Sequence, residues 1–333
     1  MRARHLLSIA LVVVCVSGSA SRGNDSTVEL AVGGLNFTKS SDVSIESEDL
    51  SIDPRKIDVK YRFLNQGAAP VTLTIGFPLP EIDLSDPDLN YAFPANHSEN
   101  FVGFRTQIDG KPVSFQVQQR ALLGQKDVTQ MVKSAGLPVL LIAGNALKSL
   151  DPVKAKALLD AGLLVLAGND AEGKPLLQPG WSVRTVYVRK QTFPPGKEVI
   201  VEHQYKTSVG TSPDTILRRA VRESLGMRAE LAKYQADYCL SPEFLNNIDT
   251  FAGKEAANVN KVREQRISYV LKTGANWAGP IKSFRLRIDP GGPGKLISFC
   301  ASGETRLLGQ SIEVHAKDFL PQKDLKILII SKG

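Results

Sequence analysis

Histidine, cysteine and tryptophan are scarce in this chain: four, three and two residues among 333. No two histidines stand at metal-ligand spacing, and there is no H-E-x-x-H, C-x-x-C or G-x-S-x-G arrangement. Neither a metal nor a cofactor is expected. Past residue 20, no apolar run reaches the roughly 20 residues that a membrane-spanning helix needs. Leu137 to Ala143 comes nearest, interrupted by Pro138 and closed by Gly144. Charge of one sign is never concentrated: 41 Lys plus Arg and 34 Asp plus Glu are spread without a block. A nucleic-acid partner is therefore not expected. Internal repeats and low-complexity tracts are absent too.

What is present begins with the N-terminus. Arg2, Arg4 and His5 precede an apolar stretch from Leu6 to Val16, and Ser17-Gly18-Ser19-Ala20 is small. Charge, apolar core and small residues in that order make residues 1–20 a secretory signal peptide with cleavage after Ala20. Cys15 does not form a bacterial lipidation site, because Val14 stands where a small residue is required. Cleavage removes Cys15 and leaves Cys239 and Cys300. In an oxidising compartment such a pair is most simply a disulfide; two buried thiols or an intermolecular bridge are the alternatives. The mature chain, residues 21–333, is expected in the periplasm without a transmembrane segment.

Alternation of period two runs through most of it. Ile57, Val59, Tyr61 and Phe63 form one apolar face, and Val71, Leu73, Ile75 and Phe77 another. With Gly67 and Pro70 between them, these runs are expected to pair as a hairpin. Asp109-Gly110 marks a second hairpin turn. Val28, Leu30 and Val32 open the series; Val43 and Ile45 fall out of phase with Leu50 and Ile52, which predicts a bulge near Ser47. Helix signals appear at Asp127, Asp151-Pro152, Ser212-Pro213 and Ser241-Pro242. They predict helical insertions at about 119–180 and 212–250. Later strands return, with Phe284, Leu286 and Ile288 on one face. The fold class is mainly β, an antiparallel sandwich-type core with helical insertions, taken as one elaborate domain.

Candidate chemistry is sparse. The loop from Pro78 to Asn100 carries Glu81, Asp83, Asp86 and Asp88, followed by Tyr91, Phe93 and His97. Clustered carboxylates can hold a hard cation, and a carboxylate pair is what glycoside hydrolysis requires. His203 shares a face with Val199, Val201 and Tyr205, which predicts a buried, hydrogen-bonded histidine. His315 falls on a polar strand phase. Trp277, between small residues, is expected either to stack on a sugar or peptide or to plug the core. Gly291-Gly292-Pro293-Gly294-Lys295 lacks the Ser or Thr of a phosphate loop and is expected to connect a hairpin.

Several segments together resemble the exported bacterial proteins grouped as domain of unknown function 4424. They are Asn24-Asp25-Ser26-Thr27 with Val28 to Leu35, Phe77-Pro78-Leu79-Pro80-Glu81, Val201-Glu202-His203-Gln204-Tyr205 with Ser208-Val209-Gly210, Tyr238-Cys239, Gly274-Ala275-Asn276-Trp277 with Gly279-Pro280-Ile281, and Ser298-Phe299-Cys300. The resemblance implies a periplasmic β-sandwich-type protein and assigns no catalytic residue. The first functional reading is a non-catalytic binding or structural module of the cell envelope, with an envelope protein or glycan as partner. The second is an envelope carbohydrate-active enzyme using carboxylates of the 81–88 loop. Candidate ligand-binding residues are Glu81, Asp83, Tyr91, His97, His203 and Trp277. N-terminal sequencing of the exported protein should start near Ser21 with no acyl group; an intact Met1 or acylation at Cys15 contradicts the leader.

Overall fold

A computed structural model describes residues 24–31, 34–86, 91–94, 97–142, 145–170, 172–253 and 262–333. The leader 1–20 and Asp88 lie outside the described residues. Most alternating runs do form strands, and almost every pair of neighbours is antiparallel. Ile281–Ile288 against Val43–Ile52 is a parallel exception.

Sequence neighbours, however, often join different sheets. Lys56–Asn65 lies between Val43–Ile52 and Glu198–Lys206 in an eight-stranded sheet. Val71–Pro78 sits in a facing seven-stranded sheet against Ser182–Phe193 and Ser26–Ala31. The expected hairpin between Lys56–Asn65 and Val71–Pro78 does not form. Asn65 explains the departure: its side chain, buried, donates to the carbonyls of Ala69 and Phe193 and accepts from the Gly67 amide. That fixes a corner rather than a turn. Pro194-Pro195-Gly196 likewise carries the chain from Ser182–Phe193 to the other sheet. The glycine stretch 291–294 does the same, linking Ile281–Ile288 to Leu296–Phe299 in a third sheet, so it connects no hairpin. The Asp109-Gly110 turn is a hairpin, with φ of 48° and 75° and Ile108 paired to Lys111. A register shift between Ile45 and Ser47 places the bulge as expected.

The stretch 119–180 is helical only in part. Gln116–Leu123 is a strand paired along its length with Ser182–Phe193. The helices Thr129–Ser134, Asn145–Lys148 and Pro152–Asp160 follow, then a ribbon of Leu164–Asn169 and Pro175–Pro179. Val132, Leu140, Leu158 and Leu163 reach the main core, so apolar burial overrides a peripheral placement. Asp151 caps its helix by accepting from the amides of Val153 and Lys154 at 3.0 Å each. The helix signalled at Ser212-Pro213 does not start there: Ser212 ends a strand and the helix spans only Arg219–Arg222, leaving Leu225 beyond it fully exposed.

The third sheet has five strands and is covered on both faces. Ile327 and Ile329 face the main core with Ile267 and Tyr269. Leu328 and Ile330 face the helices Arg228–Tyr238 and Pro242–Ala252, packing with Tyr238, Phe244 and Ile248. A strand buried on both sides needs an uninterrupted apolar run, which Ile327 to Ile330 supplies.

Between the two large sheets lies a polar cluster built on the N-terminal segment. Asp25 accepts from Arg189 Nη1 and Nη2 at 3.2 and 2.7 Å, and its Oδ2 lies 3.0 Å from His203 Nε2. Asn24 donates to Glu48, accepts from Tyr61, and its carbonyl takes the Thr273 hydroxyl at 2.6 Å. Trp277 Nε1 donates to the Asp25 carbonyl at 2.7 Å. Gly274 permits this approach: a Cβ there would stand 2.7 Å from Asn24 Nδ2. Every one of these charged groups is buried.

Burial pushes the Asp25 carboxyl up, but Arg189 and His203 together outweigh it and hold the group well below the usual carboxylate range. His203 is shifted down by its burial, against the attraction of Asp25. It is therefore neutral and donates its Nε2–H hydrogen bond to the carboxylate, leaving Nδ1 without a partner among the described residues. Burial raises Glu48 to about 8, reinforced by the Asp25 charge and opposed by the Asn24 hydrogen bond.

The linkage signs differ. Between its ordinary 4.5 and about 8, Glu48 keeps a proton in the folded chain that the unfolded chain releases, so stability falls as pH rises. His203 raises stability with pH only up to 6.5, and Asp25 loses its contribution only as pH falls from 3.8. Above pH 6.5, Glu48 therefore dominates this cluster's response. Thermal melts should show falling stability between about pH 7 and 8, and Glu48→Gln should remove that slope; an unchanged slope contradicts the assignment.

Candidate functional site

One concave site is bounded by all three sheets' surroundings. The sandwich contributes Leu79, Phe101, Val102 and Ile57, the strand Glu198–Lys206 contributes Tyr205, and the chain leaving it contributes Ser208. The outer face of the five-stranded sheet adds Arg266, Ser268 and Lys326. The helix Arg228–Tyr238 closes the other side with Lys233, Tyr234, Asp237 and Tyr238. The cavity measures about 230 Å³. An apolar cavity of roughly 150 Å³ takes a benzene-sized molecule, so this one has room for a ring and a head group.

Its floor is apolar and its rim charged. Arg266 reaches Tyr234 at 3.3 Å and Glu264 at 3.4 Å, and Tyr234 donates to Glu264 at 2.8 Å. Lys326 donates to Asp237 at 2.7 Å. Burial pushes the Tyr205, Tyr234 and Tyr238 hydroxyls far up, so all three remain protonated donors. Ser208 Oγ is buried and has no hydrogen-bond partner among the described residues.

The helix wall is weakly anchored by packing, since Tyr238 is its one buried residue. Polar and covalent ties compensate. Cys239, in a left-handed cap at φ 52°, is disulfide-bonded to Cys300 beyond Leu296–Phe299. Ser298 Oγ donates to the Tyr238 carbonyl at 2.8 Å on the same strand.

The residues singled out from sequence are scattered. Glu81 lines the cleft, but its carboxylate is taken by Ser182 and by Arg184 at 2.8 Å. Asp86 lines it as well. Asp83 is exposed and accepts from the Ser85 amide and hydroxyl at 2.9 and 2.6 Å, closing its own turn. His97 Nδ1 accepts from the amides of Glu99 and Asn100, another local turn. Tyr91 begins the strand Tyr91–Ala92, paired through Gly210. His203 and Trp277 lie in the core, Trp277 against Phe63 and Phe193. His315 is exposed beside Glu313. Among the described residues no group of three or more His, Cys, Asp or Glu side chains could hold a metal. No helix among them is long and apolar enough to cross a membrane.

Sequence reasoning missed Asp25, Arg189 and Glu48, and also the cleft's Lys233, Tyr234 and Arg266. Two of these left a trace. Arg189 shares the inward phase of Val183, Tyr187 and Phe193, and Glu48 that of Leu50 and Ile52. The cleft residues left none, because helix and sheet meet there only in three dimensions.

The chain matches the family described as domain of unknown function DUF4424 over residues 23–328. It belongs to the DUF4424 family. No curated protein matches it. Among solved structures, a candidate nutrient-binding protein of Legionella pneumophila is similar at 17% identity and a TM-score of 0.49, over 93% of this chain and 70% of that one. An M1 zinc metallopeptidase of Deinococcus radiodurans is similar at 10% identity and a TM-score of 0.29, over 88% of this chain and 43% of that one. This DUF4424 chain thus spans less than half of the metallopeptidase.

The bond between Cys239 and Cys300 closes a loop of 61 residues. By chain entropy that is worth about 4 kcal/mol, so replacing both cysteines with serine should lower unfolding stability by about 2–4 kcal/mol. Denatured, unreduced protein should show no free thiol from this pair; equal stability of the double variant in chemical denaturation contradicts the role.

Proposed function

We propose that this DUF4424 protein is an exported, periplasmic binding module that takes a small ligand in the cleft beneath the helix Arg228–Tyr238. The observation that carries the reading is a concave, apolar-floored cavity edged by the buried, unpartnered hydroxyl of Ser208. A buried hydroxyl without a partner costs about 1–3 kcal/mol, and a ligand group entering beside it relieves that cost. Concave, mostly apolar sites with few convergent polar groups are where small molecules bind.

The carbohydrate-active alternative needs two carboxylates free to act across a cleft. Glu81 is held by Arg184 and Ser182, and Asp83 closes its own turn. Those engagements favour binding over hydrolysis. The leader sequence supports export, and the oxidised cysteine pair is in keeping with an oxidising compartment.

A thermal-shift screen of small metabolites against the full exported chain tests the site. Ser268 is exposed on the cleft wall, so Ser268→Trp should fill the cavity and leave the fold intact. Ligands should raise the melting temperature of the wild type by several degrees and leave Ser268→Trp unmoved. No stabilising compound, or equal shifts in both proteins, contradicts the cleft as the binding site.

A further inference from the structure

The charges around the cleft are balanced pair by pair, with one exception. Glu81 is answered by Arg184, Asp237 by Lys326 and Arg266 by Glu264. Asp86 is also engaged. Lys233 lines the same cavity, one turn from Asp237 on the helix, and forms no ion pair among the described residues. Among the described residues, the site therefore offers one cation without an ion pair, while each of its acids is engaged.

Below the rim, Ile57, Leu79, Ile82, Phe101 and Val102 form an apolar wall. A polyhydroxylated ligand would leave most of its hydroxyls facing carbon there, and burying an unmet hydroxyl is costly. A cation would find no acid to receive it. A dianion would bring one charge more than the lone ammonium can balance, and the other cations are already paired.

We propose, building on the binding role above, that the cleft selects a small amphiphilic monocarboxylate. Its carbon skeleton lies against the Leu79–Phe101–Val102 wall, and its carboxylate meets the Lys233 ammonium. Tyr205 and Ser208, which also line the cavity, are the residues whose hydroxyls would serve the ligand's second oxygen. Lys233 is thus the residue that sets specificity by charge. It sits on the helix that the Cys239–Cys300 bond ties to the sheet, so the recognising charge is held in place covalently.

Three probes with one skeleton and different head groups separate charge from shape: 3-phenylpropionate, 3-phenylpropylamine and 3-phenylpropanol. Calorimetric titration into the full exported chain should show the acid binding at least about tenfold tighter than either other probe, the equivalent of about 1.4 kcal/mol. Lys233→Met should bring the acid down to the level of the alcohol, with an unchanged melting temperature when no ligand is present. Lys233→Glu should reverse the preference towards the amine. Amine or alcohol binding as tightly as the acid overturns the proposal, and so does full acid affinity in Lys233→Met. If none of the three binds while another compound stabilises the wild type but not Ser268→Trp, the carboxylate assignment falls and the cleft-binding role stands. If no compound of any class distinguishes those two proteins, the binding role itself falls.

Discussion

An ionised carboxylate in the middle of a β-sandwich is the constraint on which the rest of this structure depends. Asp25 is fully buried, and an unpaired charge there would be prohibitive. Its partners come from opposite walls: Arg189 from one sheet and His203 from the other. The distance between the sheets, the register of both strands and the position of the N-terminal segment must therefore agree at once. Losing one member of such a buried pair typically costs about 3–5 kcal/mol, because the other charge is stranded. The same segment reaches Thr273, Asn276 and Trp277, some 250 positions along the chain. Closure of the sandwich thus ties the beginning of the fold to its last third.

The five-stranded sheet follows from that closure. Tyr269, which neighbours the cluster through Tyr61 and Asn24, belongs to the strand Val262–Tyr269. One face of this strand feeds the main core, and the other carries Glu264, Arg266 and Ser268 towards the helices. Glu264 is buried and met by Thr215 and Tyr234, so it locks the helix Arg228–Tyr238 above the sheet from its far side. The cleft is the gap left where that helix cannot close on the sandwich. Its wall rests on a few polar contacts and a disulfide, since the helix has almost no apolar face of its own.

Much of the strand content was legible in the sequence. Alternation at Ile57 to Phe63 and at Val199 to Tyr205 gave the inward faces correctly, and the phase slip at Ile45 to Leu50 gave the bulge. His203 was legible as a buried polar residue by the same reasoning. Its partner was not: Asp25 precedes the first alternating run by only a few positions, and nothing local distinguishes it from a surface acid. The acidic loop drew attention for its density, yet Asp83 and His97 serve their own turns, which density does not reveal.

By itself, then, the sequence determined the class of the fold, the faces of most strands, the helix starts at Asp151 and Ser241, and the one cysteine pair within the family-matched region. Each depends on residues two to four positions apart, or on a simple count. The tertiary structure alone decided which sheet each strand joins, why Asn65 makes a corner where a hairpin was expected, and which side chains meet in the cleft. Those outcomes depend on burial shared among segments as far apart as Asn24 and Tyr269, and on the cost of leaving a buried charge unmatched. No local pattern carries that cost, because it exists only once the sheets have closed over it.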